Sequence, residues 1–244
     1  MNRSKQAQRI PAQIAGDLGA NIVSGRLKAG TMLDGEVEAS GQRQVSRSAY
    51  REAVRILRAK GLVESRTKIG TMVSEIEKWH LLDPDVLRWM CSRDPSPQLL
   101  ISLFELRIMV EPEAAAFAAQ RRSQAQLYAM EDALTEMERE TLQTEKGRAA
   151  DRLFHSILLA ASQNAFLATL SSSVSAAVDL STFFKQRTRR LTRDAVPDHW
   201  RVQRAIAAGD PKAARKAMRQ LVRSAFEDTT AAAVNGTSVN LSAP

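Results

Sequence analysis

In the first quarter of the chain, apolar residues fall at helical spacing. Ile10, Ile14, Leu18 and Ile22 recur every four residues, which predicts a helix over residues 10–23 with one apolar face, closed by Ser24-Gly25. After a turn at Lys28-Ala29-Gly30, a short second helix is predicted over residues 36–41. Ser46 then opens a run with Ala49, Ala53, Ile56 and Leu57 on one face, stopped by Gly61. A serine hydroxyl can accept from an otherwise unpaired backbone N–H, so Ser46 suits the N-cap of a third helix. Two short β-prone runs follow, Leu62-Val63-Glu64-Ser65 and Thr71-Met72-Val73-Ser74. Between them lies Arg66-Thr67-Lys68-Ile69-Gly70, which predicts a hairpin with a basic tip.

From Asp83 onward the pattern is helical almost without a break. Asp83-Pro84 starts a helix with Val86, Leu87 and Met90 on one face, and Asp94-Pro95-Ser96-Pro97 ends it. Further helices are predicted at about residues 98–119, 123–143, 146–162, 165–190, 195–208 and 211–233, with Asn164, Pro197 and Gly209-Asp210-Pro211 as punctuation. Short connections and no further strand pattern argue for an all-α bundle. The expected organisation is three helices plus a wing in residues 1–76, a linker helix in 77–97, a helical bundle in 98–233 and a disordered tail in 234–244.

Composition narrows the class. A chain of 244 residues with 44% hydrophobic and 25% charged residues makes one large or two modest globular domains. The single cysteine, Cys91, excludes an intramolecular disulfide and a cysteine-based zinc site, and it suits a reducing compartment. Apolar stretches such as Ile157–Ala161 are far short of the roughly 18 residues of a membrane span, and the polar start lacks a signal-peptide core. A cytoplasmic protein is the expectation. The net charge of +8 is unevenly placed: residues 1–75 hold thirteen Lys and Arg against seven Asp and Glu, whereas the rest holds 22 against 20. A basic end of +6 points to a polyanion partner, or to a merely solvated basic surface.

Three helices and a basic-tipped hairpin form the layout of a winged helix-turn-helix. Its third helix would enter the major groove, offering Ser46, Arg47, Ser48 and Arg51. The ordered string Val45-Ser46-Arg47-Ser48-Ala49-Tyr50-Arg51-Glu52-Ala53-Val54-Arg55-Ile56-Leu57, with Lys60-Gly61-Leu62-Val63-Glu64 and Ile69-Gly70-Thr71-Met72-Val73, closely resembles the GntR family of bacterial transcription regulators. The resemblance implies that Arg47 and Arg51 read bases or clamp phosphates and that Ser46 and Ser48 contact the backbone. It also implies that Gly70 lets the wing approach the minor groove, with Arg66 and Lys68 as further wing contacts. One stretch departs from the family. Where relatives carry a Leu-Pro-Ser-Glu-like start, this chain has Leu33-Asp34-Gly35-Glu36-Val37-Glu38-Ala39-Ser40-Gly41, and two glycines there weaken helix 2.

The region from residue 98 resembles the helical effector-binding (FCD) domain of the FadR-type branch of that family. The resembling segments are Glu105-Leu106-Arg107 with Val110-Glu111-Pro112-Glu113, then Asp151-Arg152-Leu153-Phe154-His155, then Asp198-His199. Leu82-Asp83-Pro84-Asp85-Val86-Leu87-Arg88-Trp89 resembles the linker of members that repress sugar-acid catabolism. Asp151 and His155 are four residues apart, so they share a helix face, and His199 can supply a third ligand to a divalent metal such as Zn, Ni or Mn. The alternative for these residues is an ion pair on a helix surface plus an unrelated histidine. Metal-binding relatives add a histidine on the last helix, where this chain has Leu221 after Ala217-Met218. Arg107 matches an arginine that faces the effector cavity in relatives, and its alternative is a surface salt bridge with Glu111.

The expectation is a mainly α, homodimeric regulator, more a repressor than an activator, that binds a pseudo-palindromic operator in double-stranded DNA and is released by a small carboxylate or sugar acid. Two rivals stand beside it. A metal-dependent hydrolase could use Asp151, His155 and His199, although no HExxH, GxSxG or glycine-rich phosphate loop is present. A non-specific nucleic-acid-binding protein would explain only the basic end.

Overall fold

The computed structural model describes residues 2–67, 69–92, 97–187 and 193–236, and the chain divides into two units, Met1–Pro95 and Ser96–Pro244.

The first unit opens with α1 (Asn2–Val23), followed by α2 (Glu36–Gln42) and α3 (Arg47–Ala59). α1 starts eight residues earlier than its apolar repeat and carries Pro11 inside it. Residues 2–9 are mostly helix-forming but polar, so periodicity does not mark them. α2 forms despite its two glycines, because Gly35 lies outside it as the N-cap and Gly41 falls in its last turn. Ser46 caps α3 as expected, its hydroxyl accepting from Ala49 N at 3.1 Å. The wing pairs β1 (Val63–Arg66) with β2 (Gly70–Val73) in an antiparallel register running from Val63 opposite Val73 to Arg66 opposite Gly70. Met32 adds an isolated bridge to Met72. Ile14, Leu18, Ile22, Tyr50, Leu57, Leu62 and Val73 form the core under these elements.

A 3-10 turn (Ile76–Lys78) leads to α4 (Pro84–Ser92), which packs on α1 as part of this unit. Asp83 Oδ1 caps it by accepting from Asp85 N at 2.9 Å. The same carboxylate and that of Asp85 hold Lys60 Nζ, at the end of α3, at 2.7 and 2.8 Å. Gly61 makes that corner. Its φ is +74°, and a Cβ there would stand 1.9 Å from the carbonyl oxygen of Lys78.

The second unit contains α5 (Pro97–Arg121), α6 (Gln124–Glu140), α7 (Glu145–Ala161), α8 (Ala165–Ala168), α9 (Ser171–Arg187), α10 (Val196–Ala207) and α11 (Pro211–Gly236). Where one helix is predicted over residues 165–190, the chain breaks at Thr169-Leu170 into α8 and α9. The Thr169 hydroxyl donates back to Phe166 O at 2.7 Å, a local bond that competes with helix continuation. α11 reaches Gly236, inside the stretch expected as a tail, and residues 237–244 lie outside the described residues. α7 packs against α5, α6 and α9, while α10 lies on α5, α6 and α11. Phe104, Met130, Leu134, Phe154, Leu158, Ile206 and Met218 fill the space between them. Among the described residues, no helix is long and apolar enough to cross a membrane.

The two kinds of glycine predict opposite outcomes. Gly61→Ala should lower stability by about 1–3 kcal/mol, because it forces a side chain into both a left-handed backbone and the Lys78 carbonyl. Gly41→Ala meets no atom within 4 Å and should be neutral or stabilising by up to about 1 kcal/mol. Chemical denaturation of the two variants measures the contrast.

Candidate functional site

The basic head presents its polar residues at the start of α3. Ser46, Arg47 and Ser48 are exposed, and the Ser46 and Ser48 hydroxyls lie 3.0 Å apart. Ser46 is engaged as the helix cap, whereas Arg47 makes no ion pair with a described residue, although its charge helps to keep Glu36 ionised. Arg51 is exposed but held. Its Nε and Nη2 make a fork onto the carboxylate of Glu36 in α2, at 3.0 and 2.8 Å. The hydrogen bond from Arg51 draws the Glu36 carboxyl below its usual range. On the wing, Arg66 donates to Glu64 Oε1 through Nε (3.1 Å) and Nη2 (2.8 Å), and it faces Gly70 across the strand pair. Gly70 has a φ of +120°, and a Cβ there would stand 2.8 Å from Met32 Cε. Lys68 lies outside the described residues.

In the second unit, α7 and α10 bring Asp151, His155 and His199 together. All three are buried, and one ligand atom from each lies within 4.8 Å of the others. The i,i+4 spacing on α7 stacks Asp151 beneath His155, with Oδ1 to Nε2 at 3.3 Å, while His199 Nε2 reaches the same Oδ1 at 3.0 Å. The far side of each ring is also fixed. His155 Nδ1 meets Glu111 Oε2 at 2.5 Å, and His199 Nδ1 meets the Ala195 carbonyl at 2.8 Å. Both rings therefore turn Nε2 toward Asp151, with Phe154 set edge-on to each.

Arg107, one turn before Glu111 on α5, enters the same cluster. Its Nε donates to Glu111 Oε1 at 2.5 Å, and its Nη2 lies 3.4 Å from His155 Nε2. The Arg107–Glu111 pair, whose alternative reading was a surface salt bridge, is buried, with side-chain exposures of 4% and 0%. Burial alone would raise both acids, but the charges of Arg107 and His155 bring Glu111 down to about 2. Hydrogen bonds from His155 and His199 likewise hold Asp151 far below its usual range. Burial would lower His155, yet the Glu111 charge and the bonds to Asp151 and Glu111 outweigh it and raise His155 to about 9.

This donor set fits a divalent metal. One carboxylate and two imidazoles suit Zn, Ni or Mn, and each ring's remaining N–H is tied to a carboxylate or a backbone carbonyl, as metal-ligating histidines require. Leu221, at the place of a fourth protein ligand, is buried and supplies none. Sequence reasoning named Glu111 only as a surface partner of Arg107 and missed its burial and its contact with His155. The available signal was its i,i+4 relation to Arg107.

Comparisons with known proteins agree with both units. Residues 11–73 match the model of bacterial regulatory proteins of the gntR family, and residues 102–224 match the FCD domain. The galactonate operon transcriptional repressor of Escherichia coli (strain K12) is 35% identical over 158 residues, covering 65% of this chain and 69% of that one. The HTH-type transcriptional regulator LutR of Bacillus subtilis (strain 168) is 35% identical over 205 residues, covering 81% and 90%. Among solved structures, Streptococcus agalactiae GntR superposes with a TM-score of 0.50 at 28% identity, covering 89% of this chain and 99% of that one. These relatives are transcription regulators rather than enzymes, so the hydrolase reading of the Asp151, His155 and His199 cluster falls away. The chain belongs to the gntR family of bacterial transcription regulators, with a winged DNA-binding head and a helical FCD domain.

Proposed function

We propose that the protein is a cytoplasmic, homodimeric repressor whose two heads bind a pseudo-palindromic operator with half-sites about one helical turn apart. Arg47 and Arg51 read base edges or clamp phosphates, Ser46 and Ser48 contact the backbone, and Arg66, Lys68 and Gly70 bring the wing to the neighbouring groove. A small carboxylate of the sugar-acid type binds in the helical domain and favours a dimer geometry that no longer fits both half-sites. It can shift that equilibrium only by its differential affinity for the two states, typically about 1–3 kcal/mol.

One observation carries the sensing part of this reading: Arg107 Nη2 lies 3.4 Å from His155 Nε2, so a guanidinium and the ligand atoms of a metal set face one place. Asp151, His155 and His199 would hold the ion. Three protein ligands leave positions for oxygen atoms of an effector, and the metal, when bound, would supply Lewis-acid attraction for a carboxylate and its neighbouring hydroxyl. Glu111 holds Arg107 and His155 in place from behind. Arg107 then offers its remaining N–H donors to the anion, which is the group best shaped to use a planar fork. The relative named for the galactonate operon supports the sugar-acid class and the repressor role.

Three outcomes follow from this reading. In gel-shift assays with the DNA upstream of its own gene, Arg47→Ala and Arg51→Ala should each weaken specific binding by about tenfold or more; unchanged affinity in both would remove the recognition-helix assignment. Elemental analysis of protein purified without chelator or a histidine tag should find about one metal per chain. That metal should be lost in His155→Ala and bound about 10–100-fold more weakly in Glu111→Gln, and a metal-free protein that still responds to its effector would refute the site. In a thermal-shift screen of sugar acids, a ligand at 100 times its Kd should add about 2.7 kcal/mol, and Arg107→Ala should lose that gain.

A further inference from the structure

The fork between Arg51 and Glu36 is an unusual thing to find on a surface meant for DNA. A carboxylate facing a polyanion repels it, and α2 places this one beside the helix that enters the groove. Glu36 is the first residue of α2, fifteen positions before its partner, so the pair ties the two helices of the reading motif together at their exposed edge.

Two details distinguish a support from a mask. The carboxylate engages Nε and Nη2 of the guanidinium, and no described residue claims Nη1. Arg51 also remains 69% exposed at its side chain despite the fork, so its outer edge stays open to solvent. A guanidinium has five N–H donors in a rigid plane, and holding one edge fixes where the other points. An unsupported arginine on this helix would have to give up its rotamer freedom when it meets a base, whereas a held one has already done so.

We propose that Glu36 is a positioning residue for operator recognition: by gripping one edge of Arg51, it aims the other edge at a base pair and so sets sequence preference rather than overall affinity. The inference rests on the reading of Arg51 as a DNA contact. Arg47, four positions earlier and with no ion pair to a described residue, then acts as the less constrained neighbour, suited to a phosphate.

The test uses full-length protein, a duplex that the wild type selects from a random pool, copies of it with each base pair replaced in turn, and an unrelated duplex. Glu36→Ala should bind the selected duplex about tenfold more weakly, the size of one well-aimed bidentate base contact. On the unrelated duplex it should bind as well as the wild type or better. Its lost discrimination should fall at the base pairs to which Arg51→Ala is also indifferent. Glu36→Gln, which keeps one acceptor, should lie between, and Glu36→Ala should cost nothing more in an Arg51→Ala background. If Glu36→Ala binds the selected duplex as tightly as the wild type or more tightly, with base preference unchanged, the pair is a mask and the proposal is overturned. An equal loss on both duplexes, or a loss that persists without Arg51, overturns it as well. If Arg51→Ala itself leaves binding to the selected duplex unchanged, Arg51 is not a reader, and the underlying assignment fails with this one.

Discussion

A carboxylate with no exposure to solvent is costly unless opposite charge meets it, and Glu111 meets two such groups. Arg107 takes one oxygen and His155 the other, both at 2.5 Å. Everything else in the cluster follows from that grip. Because His155 is held by Nδ1, its Nε2 must face Asp151. Because Arg107 is held by Nε, its terminal nitrogens extend toward the same Nε2. His199 completes the set from α10, fixed by a backbone carbonyl in the same way. Three helices far apart in sequence thus converge on one small polar volume inside an apolar bundle. Removing Glu111 would leave the buried Arg107 guanidinium without its carboxylate partner.

The DNA-reading head uses the same device at the surface. Glu36 grips Arg51 with a two-bond fork, where Glu111 holds Arg107 by one bond, and it does so in water, where such a pair adds little to stability. On the proposed reading its value there is geometric. The wing repeats the pattern with Glu64 and Arg66. In each case an acid within the protein holds a guanidinium, and the proposed recognition of a base edge or a carboxylate would use the direction so set.

Much of this was legible in the chain, for identifiable reasons. Ser46 and Gly61 marked the ends of α3 because a cap and a left-handed corner demand particular residues, and two short β-prone runs on either side of a basic, glycine-bearing tip marked the wing. Asp151 and His155 could be paired because four residues make one helical turn. The early start of α1 was hidden, since polar helix formers leave no apolar stripe, and the break between α8 and α9 was hidden because a threonine back-bond leaves no breaker residue. Of the grips, the pairing of Arg107 with Glu111 could be read from its i,i+4 spacing, but those between helices could not. Glu36 and Arg51 sit in different helices, and Glu111 and His155 are 44 positions apart, so only the packing of α2 on α3 and of α5 on α7 brings them together.

The central claim is that the cluster around Glu111 is the sensing centre that controls the reading head. Fluorescence anisotropy of a labelled operator duplex, titrated with sugar acids against metal-loaded and chelator-stripped protein, tests it most directly. The account predicts release of DNA by at least one such acid from the loaded wild type, with the response lost on stripping and in Arg107→Ala. Release at the same acid concentration from loaded, stripped and Arg107→Ala protein would contradict it.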